Sequence, residues 1–228
     1  MVELSNLYTY AFLETPEGAL ELPVDIRDRT TLVSHGGVSA LVEPNVCIES
    51  LQSDDQQLIQ AVLSHDRIIC ELFGLTTVLP LRFGTAFSSE ESIIVHLKSE
   101  AETYLKKLHQ LKGKAEYVLK LIPQIFEEPT LSTQAKGRQY FLAKKQQYQA
   151  QQNFQIAQTQ ERDNLIQLIN QTYQSTVVAE KQDGTEQIYL LISDQNQPQL
   201  TEQFIAWQKA CPRWELQLGE AQPPYHFI

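Results

Sequence analysis

The chain has 228 residues, 42% of them hydrophobic and 20% charged, which is ordinary for a globular protein of one large or two small domains. Its 28 acidic and 18 basic side chains give a formal net charge of -10. This charge argues against nucleic acid and anionic membrane surfaces as partners, because both bind basic faces.

Three widely spaced cysteines, Cys47, Cys70 and Cys211, form no CxxC pair. This spacing indicates buried free thiols in a reducing cytoplasm rather than a disulfide framework or a zinc site. The start of the chain lacks the basic and apolar segments of a signal peptide, and no apolar run approaches the length of a membrane span. We therefore expect a soluble, cytosolic protein.

The first strands are predicted from short apolar runs between turn signals. Residues 7–13 favour a strand, which ends at a Pro-Gly turn. Residues 31–33 and 38–42 flank Ser34-His35-Gly36-Gly37, a spacing typical of a β-hairpin. The Gly-Gly pair is not followed by the lysine or helix start of a phosphate loop.

Two strongly periodic helices come next. Ser53 and Gln56 form a capping-box pattern for the first helix, which Gly74 ends. Its predicted core face consists of Leu58, Ala61, Val62, Ile69, Leu72 and Phe73. His65 lies on or near that face, where a hydrogen-bonded core histidine is commoner than a ligand or base. The second helix has a capping-box pattern at Ser88 and Glu91 and ends at Gly113.

Between these helices lies Leu79-Pro80-Leu81-Arg82-Phe83-Gly84-Thr85, the 79–85 stretch. Pro80 biases Leu79 toward extended backbone, and Gly84 permits a turn or a close approach of another backbone. Arg82 stays charged because its pKa is very high, so it must reach solvent or meet a carboxylate. The stretch is either a strand end with an exposed or paired arginine, or a docking point for a partner or for the other half of the chain.

The second half of the chain predicts β-α-β-β-α-β. A strand at 114–122 precedes a long helix at 132–176, whose apolar stripe thins at 146–160, where the helix can break. A hairpin around Asp183-Gly184 pairs 176–180 with 187–192, and the run at 188–192 is typical of a central strand. A helix then starts at Pro198, and a last strand covers 214–218. This order is the ferredoxin-like pattern, an antiparallel sheet with both helices on one face.

We therefore predict an α+β protein of two domains. Residues 1–112 form a mixed α+β N-terminal domain, and residues 113–218 form a ferredoxin-like C-terminal domain with a long first helix. Residues 219–228 form a tail that carries Tyr225 and Phe227 beside a diproline. The tail packs on the body or docks elsewhere, and we expect packing because chain ends stay ordered only when they are tied down.

No catalytic, cofactor-binding or metal-binding pattern is present in the sequence. HExxH, phosphate-loop, GxGxxG and GxSxG motifs are absent, and the five histidines show no metal-ligand spacing. Acidic pairs at 54–55 and 90–91 suit helix starts, where the dipole favours negative charge. Gly137-Arg138-Gln139-Tyr140-Phe141, followed by Lys144 and Lys145, is either a solvated basic face with an aromatic core contact or a partner surface.

Five pieces in this order carry a family resemblance: Leu7-Tyr8-Thr9-Tyr10; His65-Asp66; the 79–85 stretch; Gly137-Arg138-Gln139-Tyr140 with Lys144; and Gly219 with Pro223-Pro224-Tyr225-His226-Phe227. In them the chain resembles the gas vesicle protein F/L family. Ala221-Gln222 stands where the family tail usually has a tryptophan, and His226 stands where serine is common.

The resemblance implies two α+β domains, the second ferredoxin-like, and an accessory or minor structural protein of gas vesicle assembly, without catalytic activity or cofactor, located at the gas vesicle within the cytoplasm. Its implied partners are the small hydrophobic shell protein and other gas vesicle accessory proteins. The candidate partner-binding or interdomain residues are Arg82, Phe83, Arg138, Tyr140, Tyr225 and Phe227. We expect Arg82 to pair with a carboxylate that fixes the 79–85 stretch against the second domain or the tail.

Two alternatives stay open. One is a small-molecule-binding or enzymatic ferredoxin-like α+β protein, because such sheets host many activities. A deep pocket lined by His65, His96 or paired carboxylates with shifted pKa values would favour it. The other is a scaffold that takes part in assembly and never enters the shell.

Overall fold

The computed structural model describes residues 6–46, 55–128, 137–179 and 184–228. The chain divides into two compact units, residues 1–116 together with 221–228, and residues 117–220. The domain boundaries predicted from the sequence remain predictions, because compactness does not measure independent folding. In the described ranges no helix combines the length and the apolar character needed to cross a membrane.

The first unit is a mixed α+β structure with a five-stranded sheet. Its elements are β1 (Leu7–Glu14), α1 (Val24–Arg27), β2 (Thr31–His35), β3 (Val38–Pro44), α2 (Asp55–Phe73), β4 (Val78–Pro80), β5 (Ala86–Phe87) and α3 (Glu90–Leu111). The strand order is β2-β3-β1-β4, and β5 also pairs with β1. The predicted β2–β3 hairpin is confirmed, with His35 paired to Val38 across two glycines of positive φ.

Strand β1 is the centre of this unit, and the first seven of its eight residues are buried. Its pairing with β3 shifts register between Thr9 and Ala11, as at a β-bulge. A bulge adds one residue and therefore reverses the alternation of the side chains. Tyr8 before the shift and Tyr10 at the extra position thus join the same core cluster as Leu13 after it. The strand can place aromatic side chains against α2 because of this irregularity.

The capping residues of α3 lie one position later than the sequence predicts. The N-cap is Ser89, whose side chain accepts the Ser92 N–H, while Ser92 Oγ accepts the Ser89 N–H. The prediction of Ser88 with Glu91 is therefore wrong. Ser89 caps the helix because its extended backbone directs its hydroxyl at the free N–H groups of the first turn. The capping box predicted at Ser53 for the preceding helix lies outside the described residues.

Only the second half of α2 enters the core. Its buried residues are His65, Ile68, Ile69 and Leu72. The sequence predicts Val62 on the core face, but this side chain is 42% exposed. Because no described neighbour covers the first turns of α2, Ile59 and Leu63 are exposed as well.

The second unit has the β-α-β-β-α-β order that the sequence predicts. Its elements are β6 (Lys114–Pro123), whose first three residues belong to the first unit, then α4 (Arg138–Thr172), β7 (Thr176–Val178), β8 (Glu186–Ser193), α5 (Gln197–Ala210) and β9 (Trp214–Leu218). The strand order is β7-β8-β6-β9, so β8 lies inside the sheet as expected. Its burial alternates, however, and Ile188, Leu190 and Ile192 are its buried apolar residues.

The long helix is continuous. The sequence allows a break at 146–160, but α4 runs unbroken for 35 residues. Glutamine and alanine in the thinned part of the stripe are adequate helix formers, so the loss of apolar contacts there does not end the helix. Within α4 the buried residues are Gln147, Leu165 and Ile169.

The cysteines follow the prediction in part. Cys211 is a buried free thiol, as expected, and burial raises its pKa to about 11. Cys70 is a free thiol but is exposed on α2, which contradicts the expected burial. Cys47 lies outside the described residues.

Gly219 makes a close backbone contact that a larger residue would disturb. Its N–H donates to the Val118 carbonyl at 2.8 Å, and an added Cβ would lie 2.7 Å from Val118 Cγ1. We expect Gly219→Ala to lower the free energy of unfolding by about 1–3 kcal/mol, because overpacking forces neighbours to move. Urea denaturation measures this change.

The matched control is Gly18→Ala, because no heavy atom lies within 4 Å of a Cβ at Gly18. We expect this change to be neutral or slightly stabilising. In a Val118→Ala background the cost of Gly219→Ala should shrink. An unchanged cost in that background would show that the Val118 side chain is not the cause.

Candidate functional site

The 79–85 stretch forms the end of β4 followed by a turn. The Leu81 N–H donates to the Tyr10 carbonyl, and the Thr9 N–H donates to the Thr85 carbonyl, both at 2.9 Å. The Thr85 hydroxyl donates to the Arg82 carbonyl at 2.7 Å. Gly84 has a φ of 88°, which favours glycine at this position. Hydrogen bonds to β1 on both sides of the turn therefore fix its place.

A chain of hydrogen bonds through Tyr8 and His65 holds the same turn from inside. His65 Nε2 lies 3.0 Å from the Leu81 carbonyl oxygen, which can only accept, so Nε2 carries the proton. Nδ1 then accepts the Tyr8 hydroxyl at 2.8 Å. The Tyr8 oxygen in turn accepts the Gly84 N–H at 3.2 Å. The chain starts and ends on the backbone of one turn.

This arrangement requires a neutral histidine. Burial lowers the pKa of His65, although its hydrogen bond to Leu81 opposes that shift. The ring stacks on Tyr10 at 5.4 Å between centroids and meets Phe83 edge-on at 5.7 Å. Burial also raises the pKa of Tyr8. The expectation of a hydrogen-bonded core histidine is therefore confirmed.

An aromatic cavity of about 560 Å³ opens beside this chain of hydrogen bonds, lined in part by Tyr8, Tyr10, His65 and Phe83. On its polar wall, the Tyr10 hydroxyl donates to Glu43 Oε2 at 2.5 Å, while Arg29 lies 3.8 Å from Glu43 Oε1. Burial, followed by the bond to Glu43, raises the pKa of Tyr10. These polar groups already bind one another.

The C-terminal tail contacts two carboxylates of the first unit. The Tyr225 hydroxyl donates to Asp66 Oδ1 at 2.6 Å, and burial, followed by this bond, raises the tyrosine's pKa. Glu116 is buried; its Oε2 accepts the His226 N–H at 2.8 Å, and its Oε1 lies 2.7 Å from His226 Nδ1. The backbones of Glu116 and Gln222 also exchange two hydrogen bonds of 2.9 Å.

The tail and the 79–85 turn border one groove of about 610 Å³, the tail groove. It is lined by Val62, His65, Asp66, Pro80, Leu81, Arg82, Phe83, Tyr225, His226 and Ile228. Three of the six predicted site residues, Arg82, Phe83 and Tyr225, therefore come together. Phe227 is half-buried and does not line the groove. Arg138 and Tyr140 lie elsewhere, at the exposed start of α4 in the second unit.

The expected ion pair of Arg82 is not formed with any carboxylate in the described ranges. The side chain is exposed at the edge of the tail groove. The turn is fixed instead by Tyr8 and His65, which bind its backbone. The Arg82 guanidinium is exposed to water. For this charged group, exposure is more favourable than burial beside Leu81 and Phe83.

Most of the residues that position the groove differ from the predicted site residues. Tyr8 and Asp66 had no signal other than their place in the pieces that carry the family resemblance, whereas His65 was also expected on or near the core face of its helix. Glu116 had no signal in the sequence. It is buried because the tail covers it.

No metal centre is visible in the described part of the chain. No three His, Cys, Asp or Glu side chains there come close enough to share a metal ion.

Comparisons with known proteins agree with this fold. A family described as gas vesicle synthesis protein GvpL/GvpF matches residues 6–228. Gas vesicle protein F of Haloferax mediterranei is 29% identical over 119 residues, which cover 51% of this chain and 54% of that relative. The chain therefore spans about half the length of the curated relative that it matches.

Two solved structures share the fold along nearly the whole chain. The gas vesicle protein GvpF from Anabaena sp. PCC7120 has a TM-score of 0.68 at 16% identity and covers 98% of both chains. GvpF from Microcystis aeruginosa has a TM-score of 0.65 at 17% identity and covers 97% of this chain and 98% of its own. The predicted α+β fold class is confirmed.

The His65 hydrogen bonds generate a pH prediction. Below about pH 6.5 the unfolded histidine binds a proton that the folded, buried ring resists. The unfolded state then binds more protons, so the free energy of unfolding falls as the pH falls. Between pH 7.5 and 5.5 we expect the free energy of unfolding to fall by up to about 1.4 kcal/mol more in wild type than in His65→Gln, because glutamine cannot titrate. Urea denaturation at both pH values measures the difference.

The control is Val95→Gln, which changes an exposed valine of α3 and leaves every histidine in place. This variant should follow the pH dependence of wild type. Parallel losses in wild type and His65→Gln would contradict the neutral, hydrogen-bonded His65.

Proposed function

The chain belongs to the gas vesicle synthesis protein GvpL/GvpF family, and from that membership we propose that it acts in gas vesicle assembly by binding the small hydrophobic shell protein. We place it at the gas vesicle within the cytoplasm, as an accessory or minor structural protein. The family and the matched relatives are gas vesicle proteins and not enzymes. Binding, rather than turnover of a substrate, is therefore the activity to explain.

The observation that carries the proposal is an exposed apolar surface on the first half of α2. Ile59, Val62 and Leu63, the α2 apolar face, are 58%, 42% and 58% exposed. They stand at three- and four-residue spacing, so they lie together on one side of the helix. Apolar side chains that face water on a helix are unfavourable, and binding of a strongly apolar partner removes them from water.

The α2 apolar face is continuous with the tail groove, because Val62 belongs to both. Phe83 and Tyr225 add aromatic area there, and Arg82 adds an exposed cation at the rim. Aromatic residues and arginine are enriched where proteins bind one another. We propose that the shell protein covers the α2 apolar face and extends into the groove.

The test is recovery of purified shell protein by this chain in a pull-down. Because a buried lysine without a partner opposes burial of apolar area, we expect Val62→Lys to reduce recovery at least about tenfold. Val95→Lys is the matched control, since Val95 is an exposed valine of α3 in the same unit. Undiminished recovery by Val62→Lys, or equal loss in both variants, would exclude the α2 apolar face as the binding site for the shell protein.

The scaffold alternative makes a different prediction for the mature organelle. A protein that only assists assembly leaves, whereas a minor shell component stays after washing. Mass spectrometry of washed, intact vesicles separates the two. We expect this chain to remain with the vesicles at a small fraction of the shell protein, and its absence would favour the scaffold.

Among the described residues, the aromatic cavity is a feature that favours small-molecule binding. Its volume is in the range of ligand sites, and His65, with its lowered pKa, lines it. However, both ring nitrogens of His65 already bind protein atoms, and the Tyr10 hydroxyl is bound to Glu43. These bonds use both ring nitrogens of His65 and the O–H donor of Tyr10, so we favour a structural role for this cavity.

A further inference from the structure

The first turns of α4 carry charge of the opposite sign to the chain as a whole. Residues 137–160 contain Arg138, Lys144 and Lys145 and no aspartate or glutamate, in a chain of net charge -10. In the described ranges no carboxylate forms an ion pair with these three side chains. The segment itself therefore carries a net positive charge, although the Glu128 carboxylate binds Gln147 on another side of the helix.

Large aromatic side chains lie between these cations. Phe141 is 69% exposed and Tyr148 is 61% exposed. Arg138, Phe141, Lys145 and Tyr148 follow one another at steps of three, four and three residues, so they occupy one side of α4. We call these four residues the α4 stripe. Gln147, the buried residue of this part of the helix, points to another side.

We infer that the α4 stripe binds an acidic, amphipathic helix of another protein. The steps of three and four match the spacing at which a second helix presents apolar residues. Phe141 and Tyr148 would meet those residues, while Arg138 and Lys145 would meet carboxylates beside them. This surface goes beyond the proposed function, because it does not require shell protein on α2.

Other partners fit the stripe less well. Two copies of the stripe packed together in either direction would bring four cations close to one another, with no carboxylate in the stripe to neutralise them, which is repulsive. Membrane surfaces and nucleic acids bind clusters of more cations than the three found here, and the net charge of -10 repels both. An acidic amphipathic helix can pair its carboxylates with the cations and pack its apolar residues on the aromatic rings.

The experiment uses the full chain and a synthetic probe. The probe is a 21-residue peptide with leucines at alternating three- and four-residue spacing and glutamates beside them, labelled for fluorescence anisotropy. We expect it to bind wild type and to bind Phe141→Ala/Tyr148→Ala at least tenfold more weakly. The matched control is Leu168→Ala/Ile205→Ala, which removes two exposed aliphatic side chains outside the stripe.

A charge exchange tests the polar half of the inference. Arg138→Glu/Lys145→Glu should bind the acidic peptide at least tenfold more weakly than wild type does. It should also bind a peptide that has the same leucine pattern with lysines in place of the glutamates. Because all four substitutions lie at exposed positions, thermal unfolding should not change. Equal binding of the acidic peptide by wild type and both variants would overturn the inference.

Three further measurements decide between partners. Binding to vesicles that contain phosphatidylserine tests a membrane as the partner, and binding to a single-stranded DNA oligonucleotide tests a nucleic acid. Sedimentation of the chain alone tests a second copy. Binding of any of these that is as tight as the peptide and sensitive to the stripe would replace the acidic helix as its partner. Val62→Lys should bind the peptide normally, so a failure of the shell-protein proposal leaves this test intact.

Discussion

The 79–85 turn of the first unit depends on hydrogen bonds that pass through one buried histidine. His65 links α2, β1 and the 79–85 turn because one ring nitrogen donates and the other accepts. A second proton would turn Nδ1 into a donor, and the Tyr8 O–H would then lose its acceptor. The walls of both the aromatic cavity and the tail groove contain His65. Its hydrogen bonds therefore help to position a wall of each surface.

The chemistry of the site follows from this use of polar groups. Tyr8, Tyr10, His65 and Glu43 bind protein atoms, so their titrating groups maintain a surface instead of meeting a substrate. The exposed features are of two other kinds, an apolar helix face on α2 and a cationic, aromatic stripe on α4. Surfaces of such different character suit different partners. This agrees with a family named for gas vesicle synthesis.

The tail is a structural part of the first unit and also a wall of its groove. Glu116 is buried there because the backbone of the tail pairs with its own backbone and His226 binds both of its carboxylate oxygens. The backbone N–H of residue 226 supplies one of these hydrogen bonds, whichever side chain the residue carries. The His226 side chain adds the second through Nδ1, so two groups of one residue hold the buried carboxylate.

The sequence by itself determined the α+β class, the two long helices, the β2–β3 hairpin and the β-α-β-β-α-β order of the second unit. These features depend on apolar periodicity, turn residues and caps, which act between residues close in the chain. Tertiary structure alone decided that Tyr8 and His65, rather than a carboxylate at Arg82, hold the 79–85 turn, and that Glu116 is buried. It also left the α2 apolar face without cover, although Val62 has the spacing of a core residue. Burial and long-range hydrogen bonds join residues 57 and 110 positions apart, as in Tyr8–His65 and Glu116–His226, and local periodicity contains no information about such pairs.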